Sequence, residues 1–289
     1  MIFRGFPLFE NSGTDCFVNV VAQLILQSGF FEDWDSLHDA CRVIGPHHEA
    51  CFVTGELLVR RLILPLRHFL RREPIFAHGQ HDASETLLWF FDVLGGGCPV
   101  AAQLFQERLQ FREVVRCWTC TERCLMMDRS PTSELIWWLP YERGQSFVRT
   151  WEASFETNIA EWNPDFACTD PTHFTSTLTQ HIIDGEPRFL LVGLRVFGFN
   201  RARGIICKTP VQFPAEQLLR ITVPGSARYE FRGGIFHLGA LPNQGHYVYW
   251  ARRGGMWQNY GDGGSFPDSS YLPPLCSLYT PYVLMYERL

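Results

Sequence analysis

A cysteine near the start of the chain is the first residue that suggests covalent chemistry. Cys16 follows the small and polar residues NSGTD and precedes apolar residues at helical spacing, so we expect it in the first turn of a helix capped by Thr14 or Asp15. The helix dipole favours a thiolate at that position, although the charge of Asp15 opposes the effect. The alternative is an inert thiol, because a free cysteine usually only packs in the core.

A cysteine nucleophile needs a general base, which is commonly a histidine far away in sequence. Among ten histidines, His237 and His246 lie in segments with a β-strand pattern. The residues after His246 predict a hairpin, and a turn centred between Arg253 and Gly254 places His246 opposite position 261. His246 is therefore the predicted base.

The elements that must position these residues change in type near residue 104. Before it, helical periodicity covers the Cys16 segment, residues 55–72 with an interruption at Pro65, and residues 82–97. After it come segments rich in β-branched and aromatic residues, namely RLQFREVVRCW, SELIWWLP, RFLLVGLRVFGF, RYEFRGGIFHLGAL, HYVYWARRGGMWQNY and YVLMYERL. This order predicts an α+β fold with the site at the seam between the two halves.

The segment 82–97 carries its own start and stop signals. Asp82 and Glu85 have the spacing of a capping box, and Gly95 follows the apolar stripe as a typical helix end. We expect a helix between them.

Composition limits the function classes. The 289 residues are 46% hydrophobic and 19% charged with a net charge of −5, so there is no basic field for nucleic acid or for a membrane surface. Ten cysteines without a signal-peptide pattern indicate reduced thiols in the cytoplasm or nucleus. Only one of 25 basic residues, Lys208, is a lysine. We expect a protein partner and no small-molecule cofactor.

Four blocks of sequence, in order along the chain, resemble the ubiquitin-specific protease family of deubiquitinases, which are papain-like cysteine proteases. The blocks are NSGTDCFVN, GQHDASETL, PRFLLVGLRVF, and FHLGALPNQGHYVYW with WQNYGD, followed by a closing strand YVLMYER. The ordered set, over residues 11–288, is more specific than any single block. It implies one catalytic domain of papain-like fold, with a helical thumb (1–103), shortened β-rich fingers (104–185) and a β-sheet palm (186–289).

The resemblance also implies the catalytic roles. Cys16 attacks the carbonyl of the C-terminal glycine of ubiquitin in an isopeptide bond, and His246 transfers the proton. Asn11, five residues before the cysteine, stabilises the oxyanion together with the backbone N–H of Cys16. The alternative for Asn11 is a turn residue before the helix.

Substrate-binding residues are implied by the second and fourth blocks. They are Gln80 and Asp82, which contact the ubiquitin tail in the family, and Gly245 and Tyr247 on either side of the predicted base. Each has a simpler alternative. Asp82 is also a good N-cap, and Gly245 and Tyr247 can simply begin a strand.

Two residues depart from the family pattern. Asp15 stands where the family usually has an uncharged residue, and Gly261 stands at the third catalytic position, where it cannot orient a histidine. A bulge at Gly261 would turn the next residue, Asp262, toward the imidazole. We therefore expect Asp262 to orient His246, with Asn259 as the alternative.

A zinc site is a further expectation from the resemblance. The fingers of the family often carry two C-x-x-C pairs; here Cys117 and Cys120 form one pair and only Cys168 remains of the second. His173 would complete a Cys₃His set, with Cys124 as a spare ligand. The alternative is a decayed site with packed thiols. Catalysis itself needs no cofactor.

The predicted function is hydrolysis of the isopeptide bond after the C-terminal glycine of ubiquitin, with ubiquitin or ubiquitinated proteins as partners. Asp15 and Gly261 keep a first alternative open, a catalytically impaired relative that binds ubiquitin as a scaffold. The second alternative is a cysteine protease for another ubiquitin-like modifier or for peptides.

Overall fold

The structure is a computed structural model that describes residues 14–27, 73–76, 78–95, 110–117, 125–128, 132–133, 135–156, 158–161, 170, 176–184, 187–202, 204–225, 227–253, 256–261, 264–265 and 279–289. Its α-helices are α1 (Cys16–Gln27), α2 (Ala83–Gly95) and α3 (Phe147–Ala153), and 3₁₀ turns lie at Pro74–Phe76 and Ala215–Leu218.

The strands, in chain order, are β1 (Gln110–Cys117), β2 (Leu125–Asp128), β3 (Thr132–Ser133), β4 (Ile136–Leu139), β5 (Asn158–Glu161), β6 (Ser176–Asp184), β7 (Phe189–Leu194), β8 (Phe197–Asn200), β9 (Ile205–Lys208), β10 (Arg220–Thr222), β11 (Arg228–Leu241), β12 (Gln244–Arg253), β13 (Met256–Gly261), β14 (Gly264–Ser265) and β15 (Thr280–Arg288).

Both helices of the site begin at their predicted caps. The carbonyl of Asp15 accepts the backbone N–H groups of Val18 and Asn19 at 3.0 Å each, which makes Asp15 the residue that starts α1. Asp82 precedes α2 in the same way, and α2 ends at Gly95 as expected. The helix expected within residues 55–72 lies outside the described residues.

An eight-stranded sheet forms the larger part of the described fold. Its strand order is β14-β13-β12-β11-β15-β7-β4, with β10 paired to β11. The pairs are antiparallel except for β4 with β7, which is parallel. The helix α1 packs against β11, β12 and β13, and α2 packs against α1. Because every residue described with its side chain from Cys16 to Ile25 is buried, α1 is a core helix between the sheet and α2.

Two smaller sheets complete the described part of the chain. One has the order β2-β1-β6-β5 with β3 paired to β1, and the other is the hairpin of β8 and β9. The strand β4 comes from within the range expected for the fingers, yet it joins the larger sheet. The arrangement of helices and separate sheets confirms the predicted α+β class.

Two local predictions were wrong. The helix α3 interrupts the segment after residue 104 that was expected to be β; it starts at Ser146, whose Oγ accepts the N–H of Arg149 at 3.1 Å, an ordinary N-cap. The hairpin of β12 and β13 pairs Arg253 with Met256. Two residues therefore form the connection, and the register is displaced by two residues from the one that would set His246 opposite position 261.

No helix in the described ranges combines the length and the apolar character that crossing a membrane requires.

Two buried tyrosines of the large sheet provide a test of its packing. The hydroxyl of Tyr229 donates to the carbonyl of Pro187 at 2.8 Å, whereas the buried hydroxyl of Tyr286 has no hydrogen-bond partner within the described part of the chain. Tyr229→Phe should lower the free energy of unfolding by about 1–3 kcal/mol, because it leaves a buried carbonyl unsatisfied. Tyr286→Phe should be neutral or stabilising. Urea unfolding of both variants measures the difference, and equal losses would contradict it.

Candidate active site

The Cys16 thiol lies at the start of α1, where the sequence predicted it. The residue is 2% exposed and is not in a disulfide. The backbone N–H groups of the first helical turn have no partners within the helix and give its N-terminus a partial positive charge. This end of α1 therefore favours an anion, whether a thiolate or the oxyanion of an acyl-transfer intermediate.

His246 lies near the beginning of β12, directly across from Leu238 on β11. Its side chain is partly exposed, and α1 packs against the strand that carries it. The imidazole is thus on a rigid strand at the margin of the core rather than on a long loop.

Asp82 fastens the start of α2 to the sheet. Its Oδ1 accepts the backbone N–H and the hydroxyl of Ser84, each at 2.7 Å. Its Oδ2 accepts the hydroxyl of Tyr282 on β15 at 2.6 Å. The capping role of Asp82 is therefore real, and the carboxylate also makes a second bond that the sequence did not indicate.

Tyr247, next to His246 on β12, interacts with residues from the helices and from the sheet. Its hydroxyl donates to the carbonyl of Pro242 at 2.6 Å. Burial raises the pKa of this phenol, and the neighbouring charge of Asp82 raises it further, with smaller effects in the same direction from Tyr282 and Cys16. The phenol therefore stays protonated, and Tyr247 and Asp82 lie in the same region of the fold as Cys16.

Gln80 carries an unused hydrogen-bond donor. Its Nε2 is buried and has no hydrogen-bond partner among the residues that the structure describes. The same segment is held against α1 by His81, whose ring lies edge-on to Phe17 with centroids 5.5 Å apart and whose Nε2 is 2.7 Å from the carbonyl oxygen of His78. A donor that is fixed but unsatisfied is suited to a ligand carbonyl, because leaving it without a partner is costly.

Gly245 has a backbone conformation that residues with a side chain rarely adopt. Its φ is +137°, and a Cβ there would collide with the carbonyl oxygen of Leu238 and lie 3.0 Å from Nε2 of His237. The neighbouring Gly239 has a φ of +131° and faces the same imidazole. The backbone immediately before His246 can therefore take this conformation and pack this closely because Gly245 has no side chain.

His237 differs in environment from His246. It is completely buried, and burial together with the charges of Lys208 and His246 lowers its pKa to about 3. His237 is therefore neutral near pH 7 and is a poor base for a thiol proton. The sequence pattern singled out both histidines, but only their burial separates them.

Asn259 is placed on the same face of the sheet as His246. It is paired with Trp250, and alternation along β12 gives Trp250 and His246 the same face. Asn259 is 5% exposed, and among the described residues its Oδ1 has no hydrogen-bond partner. Asn259 thus lies on the imidazole side of the hairpin, about 13 Å along β12 from the level of His246.

Several predicted site residues lie outside the described residues. They are Asn11, Asp262, Cys120, Cys124, Cys168 and His173. Of the expected zinc ligands only Cys117 is described; it is buried and not in a disulfide. Within the described ranges no group of three or more Cys, His, Asp or Glu residues could hold a metal ion.

The fold and the cysteine at its helix start are those of a papain-like cysteine hydrolase. The sequence matches the profile of the family described as ubiquitin carboxyl-terminal hydrolase over residues 9–286. The chain belongs to this family, and it is a cysteine-type deubiquitinating hydrolase. Comparison with curated protein sequences found no match.

Solved structures of similar fold belong to the SAGA DUB module of Ubp8, Sgf11, Sus1 and Sgf73. The complex bound to monoubiquitin matches with a TM-score of 0.76 at 16% identity, and the complex bound to ubiquitin aldehyde with 0.75 at 16%; each match covers 98% of this chain and 69% of that chain. The yeast module with a mutant Sgf73 matches with 0.70 at 15%, over 98% and 68%. These likenesses establish the ubiquitin-specific protease fold.

The special backbone of Gly245 yields a prediction. Gly245→Ala should lower kcat more than about tenfold, because the backbone strain of about 1–3 kcal/mol and the collision with Leu238 displace the adjacent His246. The control is Gly198→Ala on β8, whose added Cβ meets nothing within 4 Å. Steady-state kinetics and thermal unfolding of both variants test it. A Gly245→Ala enzyme with wild-type kcat would refute this explanation of the glycine.

Proposed function

We propose that Cys16 and His246 are the nucleophile and the general base with which this deubiquitinase hydrolyses the isopeptide bond after the C-terminal glycine of ubiquitin. The observation that carries the proposal is the position of the Cys16 thiol, in the first turn of α1 and within the electrostatic reach of Tyr247. His246 directly precedes Tyr247 in the chain. A nucleophile at a helix N-terminus and a base on the adjacent strand form the pair that thiol acyl transfer needs.

The choice of His246 over His237 is supported by burial. His246 is partly exposed and can exchange protons with substrate, whereas the pKa of His237 is lowered to about 3. In the proposed reaction His246 takes the thiol proton, and Cys16 attacks the glycine carbonyl. His246 then protonates the departing lysine amine, and water hydrolyses the thioester.

The oxyanion of the tetrahedral intermediate is proposed to bind two donors. The first is the backbone N–H of Cys16 at the start of α1, and the second is the side-chain amide of Asn11. Donors of this kind act because their hydrogen bonds strengthen as negative charge develops.

Substrate binding is proposed for four residues around this pair. Gln80 offers a buried, unsatisfied amide donor for a carbonyl of the ubiquitin tail. Asp82 and Tyr247 are already engaged with Tyr282 and Pro242, so they contribute a fixed polar wall. Gly245 lets a substrate backbone approach closely, because it is exposed and has no side chain.

A structural zinc on Cys117, Cys120, Cys168 and His173 remains a proposal from the sequence pattern. Zinc analysis of the purified protein decides between the alternatives: one equivalent supports the Cys₃His set, and none supports a decayed site with packed thiols. The presence of zinc would bear on the stability of the fingers and not on the thiol chemistry. Ten cysteines without a signal-peptide pattern support the proposal of a reducing compartment, cytoplasm or nucleus.

Covalent labelling tests the proposed nucleophile. Ubiquitin with a C-terminal electrophile should label the wild type but not Cys16→Ala, because the thiol is the reacting atom. Cys207→Ala is the control, since Cys207 is more exposed than Cys16 and lies on β9. Probes of other ubiquitin-like modifiers, offered in competition, define the substrate class.

Two results would contradict this proposal. Continued labelling or turnover in Cys16→Ala would place the nucleophile elsewhere. A wild-type protein that binds ubiquitin but is not labelled would support the impaired scaffold instead.

The residue that orients His246 gives a separate prediction. We propose Asp262, because a carboxylate that accepts from the imidazole stabilises its charged form; Asn259 is the alternative, supported by its unsatisfied Oδ1. Asp262→Ala should lower kcat by about 10²-fold or more, and Asn259→Ala by less than about tenfold. Measurement of kcat for both variants ranks them. The opposite ranking would assign the orienting role to the amide of Asn259.

A further inference from the structure

The only lysine of the chain is directed at a buried histidine near the proposed base. Lys208, the last residue of β9, places its Nζ 2.7 Å from the carbonyl oxygen of His237 and 3.1 Å from Nδ1 of the same residue. The ammonium also lies 5.8 Å from the centre of the Phe197 ring. Two hydrogen bonds from one ammonium to one residue hold both the backbone and the ring of His237.

This arrangement carries an electrostatic cost. Lys208 is partly buried and makes no ion pair with a carboxylate in the described ranges, and burial lowers its pKa to about 8. A desolvated ammonium without a counter-ion is unfavourable unless its hydrogen bonds compensate. The hydrogen bonds to His237 are therefore the main compensation visible around this charge.

The ammonium determines which nitrogen of His237 carries the proton. A protonated lysine has three donors and no acceptor, so Nδ1 must accept and the proton must lie on Nε2. The same positive charge opposes a second proton on the ring and is one cause of the low pKa of His237. Lys208 thus holds His237 as a neutral imidazole of one tautomer.

The other side of the His237 ring supports the backbone that leads to His246. Nε2 is buried and makes no hydrogen bond of good geometry to any described residue, and it lies against Gly245. The backbone carbonyls of Leu241 and Gln244 face the ring and favour its protonated form. The rings of Phe197 and Tyr247 close its flanks, with centroids 5.2 and 4.7 Å away.

We propose that Lys208 is a positioning residue for the reaction: its ammonium fixes the orientation and tautomer of His237, and His237 in turn supports the Gly239 and Gly245 backbone that places His246. The proposal rests on the proposed function, since it assumes that His246 is the base. It assigns to the β8 and β9 hairpin a role in catalysis without contact between Lys208 and the reacting atoms.

Kinetics of Lys208→Met test this proposal, because methionine keeps most of the length of the unbranched side chain and removes its charge and donors. We expect kcat to fall about tenfold with KM changed less than about twofold, since a displaced base slows the chemistry and leaves ubiquitin binding intact. The control is Arg201→Met, which removes an exposed positive charge from the turn of the same hairpin. It should behave as the wild type.

A double-mutant cycle with His237→Gln separates positioning from a general structural effect. If Lys208 acts through His237, the double variant should be no slower than the slower single variant. Additive losses would overturn the proposal, as would an unchanged kcat. A rise in KM alone would assign Lys208 to substrate binding instead. Normal labelling of Cys16 by the ubiquitin probe, measured in parallel, shows that the failure concerns Lys208 and not the proposed function.

Imidazole nitrogen NMR provides a readout that does not depend on turnover. With His237 assigned by its loss in His237→Gln, the wild type should show the Nε2–H tautomer. In Lys208→Met the His237 pKa should rise, because the positive charge that opposes protonation has been removed. An unchanged tautomer and an unchanged pKa in a folded Lys208→Met variant would also overturn the proposal.

Discussion

The bond between the Asp82 carboxylate and the Tyr282 hydroxyl joins the two halves of this enzyme. One oxygen of Asp82 satisfies the first turn of α2 through Ser84, and the other accepts from Tyr282 on β15 at 2.6 Å. A hydrogen bond to an ionised acceptor is stronger than one between neutral groups. Since α2 packs on α1, this bond also relates the helix that bears Cys16 to the sheet that bears His246.

Aromatic rings pack between this hydrogen bond and the site. The ring of Tyr282 lies 5.5 Å from Phe197 and 6.2 Å from Tyr247, measured between centroids. Burial and the Asp82 charge raise the pKa of both phenols. Both hydroxyls therefore stay protonated near neutral pH and remain hydrogen-bond donors at the seam.

The sequence predicted those features that have a local pattern. Apolar periodicity and capping residues located α1 from Cys16 and α2 after Asp82, and β-branched segments located the long strands of the large sheet. The seven residues of α3 were too short to show a helical period within a β-rich region. The register of the last hairpin depends on which two residues form its connection. Composition did not decide between Arg253 with Gly254, as predicted, and the two glycines that follow Arg253, as the pairing of Arg253 with Met256 requires.

Contacts between distant residues had no such pattern. Tyr282 is 200 residues from Asp82, and Lys208 is 29 residues from His237, so neither pair could be recognised from spacing. The β-strand pattern singled out His237 and His246 but did not indicate how the two histidines differ. That difference comes from burial, which is a property of the assembled core.

The two histidines on neighbouring strands have opposite environments. His237 on β11 packs against two glycines and lies within hydrogen-bond distance of the Lys208 ammonium, so its protonated form is unfavourable. His246 on β12 is partly exposed beside the seam where Cys16 lies. The glycine backbone that allows His237 to pack so closely is the same backbone that leads directly into His246. On the proposal that Lys208 and His237 position His246, the place of the imidazole depends on the burial of His237. A change that lets His237 take up a proton or a second tautomer should then displace His246.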